Sequence, residues 1–323
     1  MKNYEQKILL VCKGDFEISE ENFEKKRAYI YDQYKGLKKL GFHVELFFIR
    51  GSGITAYLKA ISKLRGFFKK NSYDIVHAHY GYCGLVAGLV SPFAVVVTYH
   101  GTDLTESLSR VISCVSVRLA SWNIFVSKRL FERVIPSPKS RYSILPCGVD
   151  LDVFFPKSKI QASAELGWDP KRKRVVFSSS FDNPVKNFPL AKSALDMIPD
   201  VGLDLIELKD KSRKEVALIL NASDVLLLTS HSEGSPQIIK EALACGCPIV
   251  SVDVGDVRER IAGNQNCFLV KNDPEHIADA LKKSLNSAER GNTPGIQKNL
   301  DNRSIIEHLS EIYHTVKSTR NDS

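Results

Sequence analysis

The chain has 323 residues, 43% hydrophobic and 25% charged, which is an ordinary globular composition and enough length for two cores. Its net charge of +8 is uneven: residues 1–150 carry 22 Lys and Arg against 13 Asp and Glu, and residues 151–323 carry 23 against 24. An anionic surface is therefore expected to face the first half only. The seven cysteines (Cys12, Cys83, Cys114, Cys147, Cys245, Cys247, Cys267) are scattered and odd in number, which points to free thiols in a reducing compartment, and Cys245 and Cys247 stand too close together for a zinc pair.

Lys7–Gly14 (KILLVCKG) has neither the hydrophobic length nor the small-residue cleavage site of a secretory signal. The longest apolar tract, Gly84–Thr98, is cut by Ser91 and Pro92 and falls short of the roughly 20 residues of a membrane span. A cytoplasmic location is expected. Apolar runs predict strands at Ile8–Cys12, Val44–Ile49, Ile75–His79, Val95–Tyr99, Asn123–Val126 and Tyr142–Leu145, with helices between them. This alternation is the pattern of a parallel sheet covered on both faces.

Within this half, Thr55–Asn71 (TAYLKAISKLRGFFKKN) places Leu58, Ile61, Leu64 and Phe68 at helical spacing, with Lys59, Lys63, Lys69 and Lys70 around them. Taken alone it reads equally as a helix packed on the sheet. With Lys25, Lys26, Arg27 and the local charge excess it reads as a basic amphipathic surface for anionic lipid. His100 directly follows a strand, and Gly101, Thr102 and Asp103 form a turn that exposes a side chain at the strand's end. Asp103 is expected to cap the next helix, and secondarily to orient the His100 loop.

A linker is expected at Gly148–Lys159, followed by a second alternating series with strands near Val175–Ser178, Leu203–Leu208, Val225–Leu228, Ile249–Val252 and Cys267–Val270. Lys186 follows the first of these strands and a turn containing Asn183 and Pro184, which puts an ammonium at the sheet's carboxyl edge. The polar stretch Ala288–Arg303 precedes a final amphipathic helix, Ser304–Ser318.

Ser232–Ser251 (SEGSPQIIKEALACGCPIVS) follows the Val225–Leu228 strand. Ser235 is the expected N-cap and Pro236 the first helical residue, with Gln237 behind it, and Gly246 with Pro248 ends the helix. Backbone N–H groups and the helix dipole favour an anion at such an N-terminus, and Gly234 lets a phosphate approach closely. Glu241 lies roughly 9 Å further along the axis than Glu233 at about 1.5 Å per residue. The two carboxylates can thus engage hydroxyls at opposite ends of one long ligand. Taken singly, Glu233 fits a surface loop and Glu241 an exposed helix position; with Gly234, Pro236 and the following buried strand they form a candidate site.

The Glu233-x7-Glu241 segment, VVVTYHGTDL at Val95–Leu104, LPCGVDLDVFFP at Leu145–Pro156, and Lys186 in Asn-Pro-Val-Lys-Asn together resemble the retaining glycosyltransferases of family 4 over nearly the whole chain. The resemblance implies an α/β, GT-B fold of two doubly wound Rossmann-like domains facing across a cleft. Residues 1–150, with the returning helix 304–318, would form the acceptor side, and residues 151–303 the nucleotide-sugar domain. It further implies Glu241 on the donor ribose, Glu233 beside the transferred sugar, Lys186 on the donor diphosphate, His100 facing the donor sugar, and no metal or other cofactor. His77 and His79 share one side of a strand and lack a third metal ligand, so they are read as core or acceptor-cleft residues.

Three departures from the family pattern stand out. The usual Gly-Gly after the first strand is reduced to Lys13, Gly14, Asp15; the arginine accompanying the lysine is replaced in Ser178–Phe181; and the second half is one strand and helix short. The expected function is transfer of a UDP- or GDP-linked sugar to a glycan acceptor, lipid-linked, in cell-surface polysaccharide synthesis. The alternatives are a GT-B nucleotide-sugar epimerase and a non-catalytic GT-B subunit. The basic charge alone suggests nucleic acid, but no reader element accompanies it.

Overall fold

The computed structural model describes residues 6–14, 19–199, 202–287 and 299–321. Asp15 and most of the polar stretch, residues 288–298, lie outside them. The chain divides into two compact units, Met1–Gly148 with Asn302–Ser323, and Val149–Asp301.

The first unit contains β1 (Lys7–Lys13), α1 (Glu20–Lys39), β2 (His43–Ile49), α2 (Gly53–Phe68), β3 (Ile75–His79), α3 (Gly81–Val90), β4 (Ala94–Tyr99), α4 (Thr102–Thr105), α5 (Ser107–Leu119), β5 (Trp122–Phe125), α6 (Lys128–Phe131) and β6 (Tyr142–Ile144). The six strands form one parallel sheet in the order β2-β1-β3-β4-β5-β6. β1, β3 and β4 are buried along almost their whole length because both faces are covered. Right-handed crossovers set α1 on one face and α2, α3 and α5 on the other. A Cβ on Gly81 or Gly84 would overlap Ser113 or Ser116, so these glycines let α3 and α5 pack at close range.

α2 turns most of its apolar stripe inward. Leu64 is buried, Ile61 and Phe68 pack against the sheet's core, and only Leu58 of the expected lipid-facing set points outward. The sheet offers that stripe a dry surface, which corrects the reading of α2 as a lipid-binding helix on this set of residues. The last helix, α13, runs from Asn302 to Asn321, longer at both ends than expected, and packs on α1, where Ile306 fills the space beside Gly36. No helix among the described residues is long and apolar enough to cross a membrane.

The second unit contains α7 (Lys159–Leu166), β7 (Lys173–Phe177), a 3-10 turn (Pro184–Lys186), α8 (Phe188–Leu195), β8 (Leu203–Glu207), α9 (Arg213–Ala222), β9 (Val225–Leu228), α10 (Gln237–Ala244), β10 (Ile249–Val252), α11 (Val257–Ile261), β11 (Cys267–Val270) and α12 (Pro274–Asn286). Its parallel sheet runs β11-β10-β9-β7-β8. Local chemistry fixes the helix starts: Ser212 and Glu215 form a reciprocal capping box on α9, and Asp273 caps α12. Cys245 and Cys247 are buried free thiols of this core.

In each sheet the strand order reverses once, between β1 and β3 in the first and between β7 and β9 in the second. Neighbouring crossovers there leave in opposite directions and open a crevice at the carboxyl ends of the strands.

Candidate functional site

In the second unit the crevice at β7 and β9 gathers Lys186 and Glu233. Asn183 accepts from the backbone N–H of Val185 and shapes the 3-10 turn that carries Lys186. Thr229, just past β9, donates its hydroxyl to the carbonyls of Lys186 (2.9 Å) and Asn187 (3.1 Å), and the N–H of His231 donates to Val185 O at 2.9 Å. The two loops are thereby stitched together. The ammonium of Lys186 donates to Glu233 Oε1 at 2.6 Å, and Ser230 Oγ donates to the same oxygen at 2.8 Å. Both charged side chains are largely shielded, 19% and 14% exposed. Sequence reasoning placed Lys186 on a ligand; the structure pairs it with Glu233.

α10 begins at Gln237 with Pro236 as its N-cap, one residue later than expected, and no side chain caps it. Ser235 is not the cap. Its hydroxyl donates to Asp256 Oδ2 at 2.8 Å, the oxygen that also accepts from Arg260 Nε at 2.7 Å. Asp256 is buried, and Gly255 holds a φ of +56° where a Cβ would stand 2.9 Å from the carbonyl oxygen of Gly234. The loop after β10 therefore braces the Gly234–Pro236 turn from behind. Glu241 is half-buried on α10, about one turn in, or roughly 6 Å along the axis from Gln237.

In the first unit the crevice at β1 and β3 holds Gly14, whose N–H donates to Ile49 O at 3.1 Å. The ends of β3 and β4 lie next to it. His100 sits among the rings of Tyr29 and Tyr80, each with its centroid 4.8 Å away, and His79 at 5.3 Å. His79 Nδ1 and His100 Nε2 share a hydrogen bond of 3.0 Å, and His100 Nδ1 stands 3.8 Å from Cys147 Sγ. Tyr29 and Tyr80 are joined hydroxyl to hydroxyl. Tyr80 takes φ 74°, a region unfavourable for a bulky residue.

Asp103 corrects the capping expectation. It lies inside the first turn of α4, whose N-cap is Gly101, and its buried carboxylate accepts from the N–H groups of His100 (3.2 Å) and Gly101 (2.8 Å). Burial pushes its pKa up from 3.8 to about 6, against these hydrogen bonds. His77 is a satisfied core residue: its Nδ1 meets Tyr313 Oη at 2.6 Å and its Nε2 meets Thr98 Oγ1 at 2.7 Å. Burial lowers its pKa to about 3 and holds His79 well below the usual range, so both rings are neutral near pH 7. Among the described residues no group of three or more His, Cys, Asp or Glu is placed to hold a metal ion.

Sequence reasoning missed Ser230, Asp256 and Arg260 in the second unit and Tyr29 and Tyr80 in the first. The i,i+4 spacing of Asp256 and Arg260 was the one available signal. The tyrosines come from distant segments and gave none.

Residues 173–287 match the family model of the glycosyl transferases group 1, and residues 27–153 that of glycosyltransferase family 4. The chain belongs to this glycosyltransferase family. A relative named D-inositol 3-phosphate glycosyltransferase, from Mycobacterium sp. (strain KMS), is 26% identical over 65% of this chain, and the chain spans 59% of that relative's length. Among solved structures, sucrose-phosphate synthase from Thermosynechococcus elongatus superposes with a TM-score of 0.81 at 17% identity, over 97% of this chain and 100% of that one. The Anabaena protein HepE in complex with UDP-glucose gives 0.68 at 16% identity, over 98% and 100%. These likenesses establish the GT-B fold for this family member.

Proposed function

We propose that the chain is a retaining glycosyltransferase that moves a sugar from a UDP- or GDP-linked donor to a glycan acceptor carried on a membrane lipid, in cell-surface polysaccharide synthesis. The observation that carries this reading is the Lys186–Glu233 pair held at the β7/β9 crevice directly before α10. A shielded cation, a carboxylate and a helix N-terminus that no side chain caps suit the two parts of a nucleotide sugar, its diphosphate and its hydroxyls.

On this reading the donor diphosphate rests on the N-terminus of α10 at Gly234, Ser235, Pro236 and Gln237 and competes with Glu233 for Lys186. Glu233, released from the ammonium, accepts hydroxyls of the transferred sugar, and Glu241 accepts those of the ribose. The acceptor hydroxyl attacks the anomeric carbon on the face from which the diphosphate departs. The bond from that carbon to the diphosphate oxygen breaks, and the phosphate takes the hydroxyl proton. Lys186 and α10 stabilise the charge that grows on the leaving group, so no metal is needed. In the first unit, Gly14 and the His100 turn, clamped by Asp103, form the substrate-facing surface. That HepE is described with UDP-glucose favours a UDP donor.

The test begins with a panel of nucleotide sugars scored by melting-temperature shift, since a ligand that binds only the folded chain raises it. Transfer from the best binder, in EDTA, is expected to give an α product from an α donor. Lys186→Ala and Glu233→Gln are expected to lower kcat by roughly 100-fold or more. Inversion at the anomeric carbon, or wild-type rates in both variants, overturns the reading.

A further inference from the structure

One face of the first unit stands apart in its surface chemistry. On α5, Leu108, Val111, Val115 and Leu119 recur at spacings of three and four and so share one side of the helix, yet they are 70%, 62%, 42% and 40% exposed. The helix packs through its other side, with Ser113 and Ser116 against α3 and Val117 in the core, and Leu119 at the edge of the stripe also touches α3 at Gly88. Leu89 at the end of α3 is also exposed, and α2 lies on the far side of α3. No Asp or Glu occurs within α2, α3 or α5, whereas Lys59, Lys63 and Arg65 on α2 and Arg110 and Arg118 on α5 are all exposed.

A contiguous apolar stripe of this kind marks a contact surface, and its charge selects the occupant. A second copy docking by two-fold symmetry would lay the patch on itself, setting Arg110 and Arg118 against their own copies, with Glu106 at the start of α5 as the acid beside the stripe. An anionic bilayer answers both features, since its acyl boundary takes the leucines and valines and its headgroups take the arginines and lysines. We propose that the outer face of α5, supported by α2 and α3, docks on anionic membrane lipid. The inference rests on the membrane-held acceptor for its purpose, but its test requires neither donor nor transfer.

The full chain is sedimented with vesicles of phosphatidylcholine, with and without phosphatidylglycerol. Wild type is expected to co-sediment with the anionic vesicles only. Leu108→Glu with Val115→Glu is expected to lower the bound fraction about tenfold, and so is Arg110→Glu with Arg118→Glu. Ile160→Glu, at a site 70% exposed in the second unit, is expected to leave binding unchanged. Should the glutamate pair lower the melting temperature, Leu108→Ser with Val115→Ser reads the same face with less disturbance. Equal binding by wild type and the α5 variants overturns the proposal, as does a lipid-free dimer, seen in sedimentation velocity, that the α5 substitutions abolish.

Discussion

Asp103 offers a direct physical check on the turn that carries His100. Its folded pKa of about 6 lies above the unfolded value of 3.8 because burial penalises the charge more than the backbone hydrogen bonds repay. With the folded value raised, its contribution to stability is fully present below about pH 3.8 and is lost as pH rises through about 6. At about 1.4 kcal/mol per pKa unit the whole effect is about 3 kcal/mol, of which about 2 kcal/mol falls between pH 4 and pH 7. Asp103→Asn keeps the shape and one carbonyl acceptor but cannot titrate, so the wild-type stability minus that of the variant is expected to fall by about 2 kcal/mol across that range. Each unit holds one tryptophan, Trp122 in the first and Trp168 in the second, so urea unfolding followed by fluorescence in a Trp168→Phe background reports on the unit that contains Asp103. A stability difference that stays flat from pH 4 to pH 7 would refute the buried clamp.

Three further outcomes are expected. A double-mutant cycle of Lys186→Met and Glu233→Gln, read by urea unfolding, should give a coupling of about 1–2 kcal/mol, more than an exposed pair gives and less than a fully buried one; a coupling near zero would mean that the two do not pair in solution. Gly255→Ala forces a side chain into a left-handed backbone and against Gly234 O, so it should cost about 1–3 kcal/mol and weaken the response of the melting temperature to donor. His77→Phe leaves the hydroxyls of Tyr313 and Thr98 without their shared partner in the core and should destabilise by roughly 2–4 kcal/mol, measured by thermal unfolding.

The strand series was legible because the central strands, buried on both faces, are nearly continuous apolar runs such as LLVC, VVVTY or VLLL. The ends of those strands were legible too, which is why the sequence alone sets Lys186, Glu233, Gly14 and His100 just past strand ends. Their partners were not legible. β7 lies beside β9 although β8 falls between them in the chain, so nothing local announces that Thr229 will hold the Lys186 turn or that Lys186 will reach Glu233. Ser235 reads as an N-cap by residue type, and only the approach of Asp256 explains why its hydroxyl turns elsewhere.

The two amphipathic helices of the first unit show where such reading stops in principle. α2 and α5 both carry apolar residues at helical spacing, and periodicity reports that a stripe exists without reporting which way it faces. For α2 the stripe turns mainly onto the sheet, with Leu64 buried, and its lysines are left in water. For α5 the positions facing α3 are taken by small residues, because Gly81 and Gly84 of α3 admit only Ser113 and Ser116 at that distance, and Val117 is the larger residue buried beside them. The larger residues Leu108, Val111 and Val115 are therefore displaced outward, while Leu119 at the edge of the stripe leans on Gly88 of α3. The orientation of α5 is thus set by the glycines of its neighbour. Gly84→Leu, which cannot fit against Ser116 and Val97, is accordingly expected to push α5 off the sheet and to abolish vesicle binding together with the cooperative unfolding of the unit. Leu108→Glu with Val115→Glu is expected to remove binding alone, and loss of cooperative unfolding in that outward-facing pair would show that the stripe packs inward after all.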